Sequence, residues 1–418
     1  MPVRPPEDGW ARKDLASALE NFRLTDLPDA FYADPYPLYR ALREREPIRR
    51  MPDGSYFLTR YRDLEAVYKD SVTFSSDKKV EFKPKYGDSL LYEHHTTSLV
   101  FNDPPLHTRV RRLIAGALNP RAIAEMEAGL VSLVDSLLDR MAEQDEADLI
   151  EDFAAAIPVE VIGNLLAVPR EERGPLRDWS LAILGALEPA LTPEAFDRGN
   201  RAVAEFLDYL RGLVAERRRH PGDPDRDVLT RLILGESDGE RLSERELLQN
   251  CIFILNAGHE TTTNLIGNGL ELMVRFPDER RRLIADPSLL RSAVEEILRY
   301  ESSNQLGNRM VAQDTELGGV SFPRGTFLTL CIGAANRDPE AFPEPDRFDV
   351  GRQPNRHLAF ASGPHVCAGL NLARLEGRIA LGRFLARFPA FEAAGAPVRA
   401  RRARFRGFSA LPVRLGPR

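Results

Sequence analysis

From Pro105 to about Tyr300 the apolar positions of this chain recur every three or four residues almost without a break, the spacing of amphipathic helices. Asn119-Pro120 opens one such helix toward Met141. Thr192-Pro193-Glu194 places an N-cap, a proline at the first helical position and an early acid in order, and that helix runs toward Arg219 before Pro221-Gly222. Ser243 and Glu246 have capping-box spacing and open a segment that reaches Arg275, about 50 Å if wholly helical. Its middle, Cys251 to Leu255, is apolar on every side, so this helix is expected to cross the interior. Pro277 opens another helix, and Ser288 to Glu301 reads as one more.

The flanks pattern differently. Tyr36–Glu44 reads as a helix with Leu38 and Leu42 inward. Pro52-Asp53-Gly54 predicts a hairpin between Pro47–Met51 and Tyr56–Thr59, and Asp63–Lys69 returns to helical spacing. Residues 73–103 lack periodicity and read as one long loop, of the kind that is functional or mobile. After residue 301, Gly318-Gly319 and Pro323-Arg324-Gly325 punctuate short strands. Residues 336–366 are irregular, a helix follows Cys367 toward Phe388, and the last strands fall near 397–415. With no repeat or low-complexity linker, the pattern predicts one mainly α domain with a small β portion, although 418 residues alone would allow two or three domains.

Charge removes some functions. Lys and Arg number 57 against 63 Asp and Glu, a net −6 that argues against nucleic-acid binding. The opening MPVRPPEDGWARKD has no apolar core of a signal peptide, and no stretch has the length of a membrane span, so a cytoplasmic protein is expected. Lys78, Lys79, Lys83 and Lys85 crowd one segment. The three cysteines cannot close a disulfide framework. Cys251 and Cys331 sit in apolar runs and read as small buried hydrophobes. Cys367 opens a helix between Gly363 and Gly369, where the dipole and free backbone N–H groups favour thiolate. On the residues alone, another buried cysteine fits equally well. A nucleophilic cysteine is a third option, without a clear His partner.

Phe360-x-x-Gly363-x-His365-x-Cys367-x-Gly369, preceded by Arg356-His357-Leu358-Ala359, resembles the haem-ligand signature of the cytochrome P450 monooxygenases, with Ala361 where glycine is usual. The resemblance runs from about residue 30 to Leu415 and implies the P450 fold: a single haem domain with an N-terminal extension (1–30), a substrate-covering loop (73–103), a central oxygen-binding helix (243–275) and a haem-ligand loop (356–369). It implies haem b with Cys367 as axial thiolate ligand. Glu296-x-x-Arg299 matches the pair that braces the haem loop, with Arg347 as its third member. Ala257-Gly258-His259-Glu260-Thr261-Thr262 resembles the oxygen-activation motif. There Thr261 bonding to the Ala257 carbonyl would open a local bend for oxygen, and Glu260 would link it to a proton path.

By the same resemblance, His107, Arg111, Arg309 and His365 contact the haem propionates, and Phe253, Asn256, Ala257, Asn304, Gln305, Leu306 and Phe408 approach the substrate. Ser303-Asn304 stands where many relatives have Pro-Val, and Asn256 where an apolar residue is usual; the expected substrate is a small or medium-sized, mostly apolar molecule with a polar handle. The lysines raise the option of an anionic group on it, against the plainer reading of a solvated loop. The implied activity is insertion of one atom of O₂ by hydroxylation, dealkylation or epoxidation. Electrons would come from a ferredoxin or flavodoxin with its NAD(P)H reductase, docking where Arg109, Arg112, Arg352, Arg374 and Arg378 supply positive charge. A peroxide-driven haem-thiolate enzyme and a non-enzymatic haem or gas-sensing protein are the alternatives, and the Glu260/Thr261 pair argues against the first.

Overall fold

The computed structural model describes residues 10–224, 227–237 and 240–416. The expectation about the N-terminal leader falls partly on residues 1–9, which lie outside them. Among the described residues, no helix is long and apolar enough to cross a membrane.

The long helices form where the capping chemistry predicts. Asn119 Oδ1 accepts from the N–H groups of Arg121 and Ala122 at the start of Pro120–Met141. Thr192 caps Pro193–Arg219 through the Ala195 N–H. Ser243 and Glu246 form a complete capping box on Glu244–Arg275. That central helix of 32 residues is buried along most of its length. The main apolar core surrounds it and takes in Ala156–Leu165, Leu176–Gly185, Pro193–Arg219 and Leu370–Arg387.

The small β portion lies mainly to one side. Its largest sheet has the strand order Ile48–Arg50, Tyr56–Leu58, Phe327–Cys331, Leu306–Val311 and Phe74–Ser75. Phe327–Cys331 runs parallel to Tyr56–Leu58 and antiparallel to Leu306–Val311, joining the two ends of the chain. A second apolar cluster, containing Tyr39, Phe57, Leu306 and Cys331, packs under this sheet.

Residues 73–103 differ from the predicted loop. They form the strand Phe74–Ser75, the helices Lys79–Tyr86 and Leu90–Thr97, and one 3-10 turn at Leu99–Phe101. Leu90–Thr97 shows no clear periodicity because it is buried on several sides, with Leu91 and His94 through Thr97 inside, while the short Lys79–Tyr86 buries only Phe82 and Tyr86 and is interrupted by Pro84.

Candidate functional site

The segment from Phe360 to Gly369 is a tight loop closed by the Cys367 N–H donating to the Phe360 carbonyl at 2.9 Å. Gly363 has φ +67°, and a Cβ there would stand 2.3 Å from the Tyr68 carbonyl oxygen, so glycine is required twice over. Ala361 also holds a positive φ, +57°. Cys251 and Cys331 are fully buried and burial pushes both thiols up to about 12, which fits their packing role. Cys367 alone of the three retains accessible surface. Desolvation raises its thiol, while the Gly369 N–H, Arg111 and Arg374 pull the other way.

A buried clamp holds this loop. Arg299 donates through Nε and Nη2 to the two Glu296 oxygens at 2.7 Å each, and neither side chain has exposed surface. Arg299 also donates to the carbonyls of Asn336, Pro345 and Arg347. Glu296 accepts from the Asp349 N–H, Arg352 Nε at 3.1 Å and Asn355 Nδ2 at 3.0 Å. The third arginine is therefore Arg352 and not Arg347, whose guanidinium lies at the surface on Glu344 while only its carbonyl joins the network. Asn336 carries the bracing onward by accepting from the Leu358 N–H at 2.7 Å. Glu295, one residue earlier, binds Arg374 beyond the cysteine bidentately at 2.7 Å and His357 before it at 3.2 Å. Burial opposes ionisation of Glu295, but these hydrogen bonds prevail and hold it down to about 2.

On the central helix, Thr261 Oγ1 donates to the Ala257 carbonyl at 2.7 Å, the bond the motif predicts. Phe253, Ala257, Gly258 and Thr261 keep accessible surface along one stripe of an otherwise buried helix, which marks them as the wall of an internal cleft. Gly258 also answers to packing, since a Cβ there would lie 2.5 Å from Ile162 Cδ1. Glu260 is buried, and Arg402 Nη1 contacts both its oxygens at 2.6 Å. Burial pushes Glu260 up and Arg402 draws it back, leaving it at about 7. Arg402 Nη2 donates to the Leu181 carbonyl, tying this acid to helix Leu176–Gly185.

The four residues expected at the propionates converge. The rings of His107 and His365 lie 4.0 Å apart, and both Nε2 atoms are buried without a partner. Burial, with Arg309, His107 and Arg111 nearby, lowers His365 to about 3. Among the described residues neither Arg111 nor Arg309 forms a salt bridge. Unpaired cations and unpartnered ring nitrogens are what a pair of external carboxylates satisfies, so these residues fit a haem.

The expected substrate residues divide. Phe253 and Ala257 lie on the accessible stripe. Asn256 ends a polar chain in which Gln249 Nε2 faces Glu93, Gln249 Oε1 faces His94 Nδ1 at 3.0 Å, and Asn256 Nδ2 faces His94 Nε2 at 3.3 Å; Asn256 Oδ1 has no partner. Burial lowers His94 to about 4, so it stays neutral near pH 7. Asn304 bridges Phe405, and its Oδ1 is unpartnered. Gln305 and Leu306 turn the other way: Gln305 packs on Gly333, which Tyr39 also covers, and Leu306 belongs to the second apolar cluster. Phe408 lies beside Arg399 in the main core, and it is Arg402 to Phe405, earlier in the same segment, that reach Glu260 and Asn304. Of the five arginines expected at a partner surface, Arg352 is occupied by the clamp, Arg109 pairs with Glu246, and Arg374 and Arg378 pair with Glu295 and Glu127 while bordering a surface groove.

Residues 183–398 match the family model described as Cytochrome P450. The chain belongs to the cytochrome P450 family. It is similar to vitamin D(3) 25-hydroxylase of Pseudonocardia autotrophica, 38% identical over 93% of this chain and 95% of that protein. It is 37% identical to epothilone C/D epoxidase of Sorangium cellulosum over 92% of this chain and 93% of that protein. The crystal structure of P450BioI with a hexadec-9Z-enoic acid-ligated acyl carrier protein superposes with a TM-score of 0.88 at 33% identity, covering 93% of this chain and all of that one. This P450 is a haem-thiolate monooxygenase of small organic substrates, using O₂ and a redox partner.

Proposed function

We propose that Cys367 is the axial ligand and that His107, Arg111, Arg309 and His365 hold the haem propionates. The observation that carries this assignment is the clamp: Glu296, Arg299, Arg352, Asn336 and Glu295 fix both flanks of the Cys367 loop, and none of them reaches the cleft on the other side. Gly363 and Phe360 shape the loop against that face. Bound haem supplies the iron that activates dioxygen.

The chain's own part is to position and to move protons. Thr261, anchored on the Ala257 carbonyl, keeps its hydroxyl in the cleft and orients a water there. Glu260 titrates at about 7, which suits a group that must take up and release a proton near neutrality. Arg402 fixes its carboxylate. Phe253 and Ala257 form the apolar wall over which a substrate packs, and the amide of Asn256, oriented by His94, is the polar handle's acceptor. This chain's substrate is a small or medium-sized, mostly apolar molecule. The groove bordered by Arg374 and Arg378 is the docking face for an acidic ferredoxin or flavodoxin.

The reduced carbonyl complex tests the ligand. Wild type gives the strongly red-shifted Soret band of thiolate ligation, and Cys367→Ser loses it while still folding. An unshifted band in folded wild type overturns the assignment. Thr261→Ala diverts reducing equivalents to peroxide, read as less product per NAD(P)H consumed.

A further inference from the structure

Three of the four clustered lysines are neutralised within their own segment: Lys78 on Glu81, Lys79 on Asp77 and Lys83 on Asp88. Lys85 is different. Its Nζ donates to the backbone carbonyl of Glu188 at 2.8 Å and lies 5.2 Å from the Tyr86 ring, and neither partner carries a formal charge. Arg404 is in the same position. Its Nε, Nη1 and Nη2 donate to the Leu187 carbonyl, the Leu306 carbonyl at 2.7 Å and Asn308 Oδ1 at 2.6 Å, all neutral.

The nearby acid is already spent. Glu188 Oε2 accepts from the backbone N–H groups of Ala403 and Arg404, and Oε1 from that of Phe405. Lys85 and Arg404 thus leave one positive charge uncompensated in a partly buried place. Burial first and the field of Arg404 second hold the Lys85 ammonium down to about 8, with Glu188 and Glu81 pulling it back up. His95 lies within reach of both fields; it is almost fully buried, with its Nε2 unpartnered. The place shares its backbone with residues of the cleft. Arg404 binds the strand residues that flank Gly307 and precede Arg309, and Arg402, two positions earlier, holds Glu260.

We infer that Lys85 and Arg404 form a subsite for an anionic group of the substrate, a monocarboxylate carried on an apolar body. An oxygen pair placed there would replace neutral acceptors with a charge-assisted bridge. This rests on the monooxygenase reading of the cleft and names the class of molecule that enters it.

The test uses the purified holoprotein and matched pairs of carboxylic acids and their methyl esters, straight-chain and cyclic. Binding is read from the haem spin state and by calorimetry, so that a ligand seated away from the iron is counted. Wild type binds the acids tighter than the esters by about tenfold or more, the scale of a charged hydrogen bond. Lys85→Gln and Arg404→Gln each remove about that factor from the acids and leave the esters unchanged. Arg404→Lys restores part of it, and Lys85→Glu turns the preference toward the ester. Equal binding of acid and ester in wild type, or an acid preference surviving both glutamine variants, overturns the inference. So does loss of haem from Lys85→Gln, which would place Lys85 in the propionate cradle. A missing thiolate band in the wild-type carbonyl complex would overturn the reading beneath it, whereas a normal band without acid preference overturns this subsite alone.

Discussion

The two sides of the cleft treat charge in opposite ways. Around the Cys367 loop, Glu296, Arg299, Arg352, Glu295 and Arg374 are paired with one another and with backbone carbonyls. On the side of Arg402–Phe405, Arg404 and Lys85 meet only neutral acceptors, and Asn256 Oδ1, Asn304 Oδ1 and His95 Nε2 meet nothing. A saturated network has one low-energy arrangement and so fixes geometry, whereas an unsaturated one retains a free energy that a ligand can claim. Apart from the Glu260–Arg402 pair, the buried charges of the scaffold are paired with opposite charge and those of the recognition side meet neutral groups.

Breaking the saturated side has the largest effect. Glu296→Gln leaves Arg299 buried without its counter-charge and is expected to cost about 3–5 kcal/mol, seen as lost haem content and early denaturant unfolding. On the cleft side, Arg402→Gln is expected to leave the fold in place. It removes the pull that lowers Glu260, so Glu260 keeps its proton to higher pH, and the pH profile of product coupling moves alkaline by on the order of one unit. An unmoved profile would separate Glu260 from proton delivery.

Acid gives a smaller, graded test. Glu295 is held at about 2 in the folded protein, below its ordinary value of 4.5. Its contribution is therefore complete above about pH 4.5 and is lost as pH falls toward 2. After allowance for solvent screening this amounts to about 1–2 kcal/mol. Glu295→Gln should be less stable at pH 6 and flatter between pH 5 and 3, as melting temperatures would report. The smallest effect is on the loop itself. Ala361 at φ +57° pays for a left-handed conformation, and Ala361→Gly is expected to stabilise by about 0.5–1 kcal/mol in denaturant titration.

What the sequence made legible follows the same division. Cys367, the Glu296–Arg299 pair and the Thr261–Ala257 bond depend on neighbours within a few residues, so spacing reveals them. Arg352 was hidden because its partner Glu296 is 56 positions away, and Arg347 lay in the more familiar local frame. Gln305 and Leu306 fell on the wrong face because nearness in sequence to the clamp does not say which way a side chain turns. Phe408 was placed a few residues too late, since nothing local marks where the C-terminal segment reaches Glu260. The helices Lys79–Tyr86 and Leu90–Thr97 were unreadable for different reasons: the first is short, carries Pro84 and buries only Phe82 and Tyr86, and in the second burial on several faces erases the alternation by which a helix is recognised.

The contact of Gly363 with the Tyr68 carbonyl has a consequence for how the chain folds. It joins residues almost three hundred positions apart, and it is not alone: the Tyr61 N–H donates to Asp338 across 277 positions, and Arg406 to the Tyr32 carbonyl across 374. Each is a loop that must close before it contributes anything, so the cysteine loop reaches its final shape late, when both ends of the chain have met. A fragment spanning only 183–398 would contain the cysteine and the clamp yet lack Tyr68, His107 and Arg402. The segment that best identifies the family is therefore smaller than the unit that can build its site.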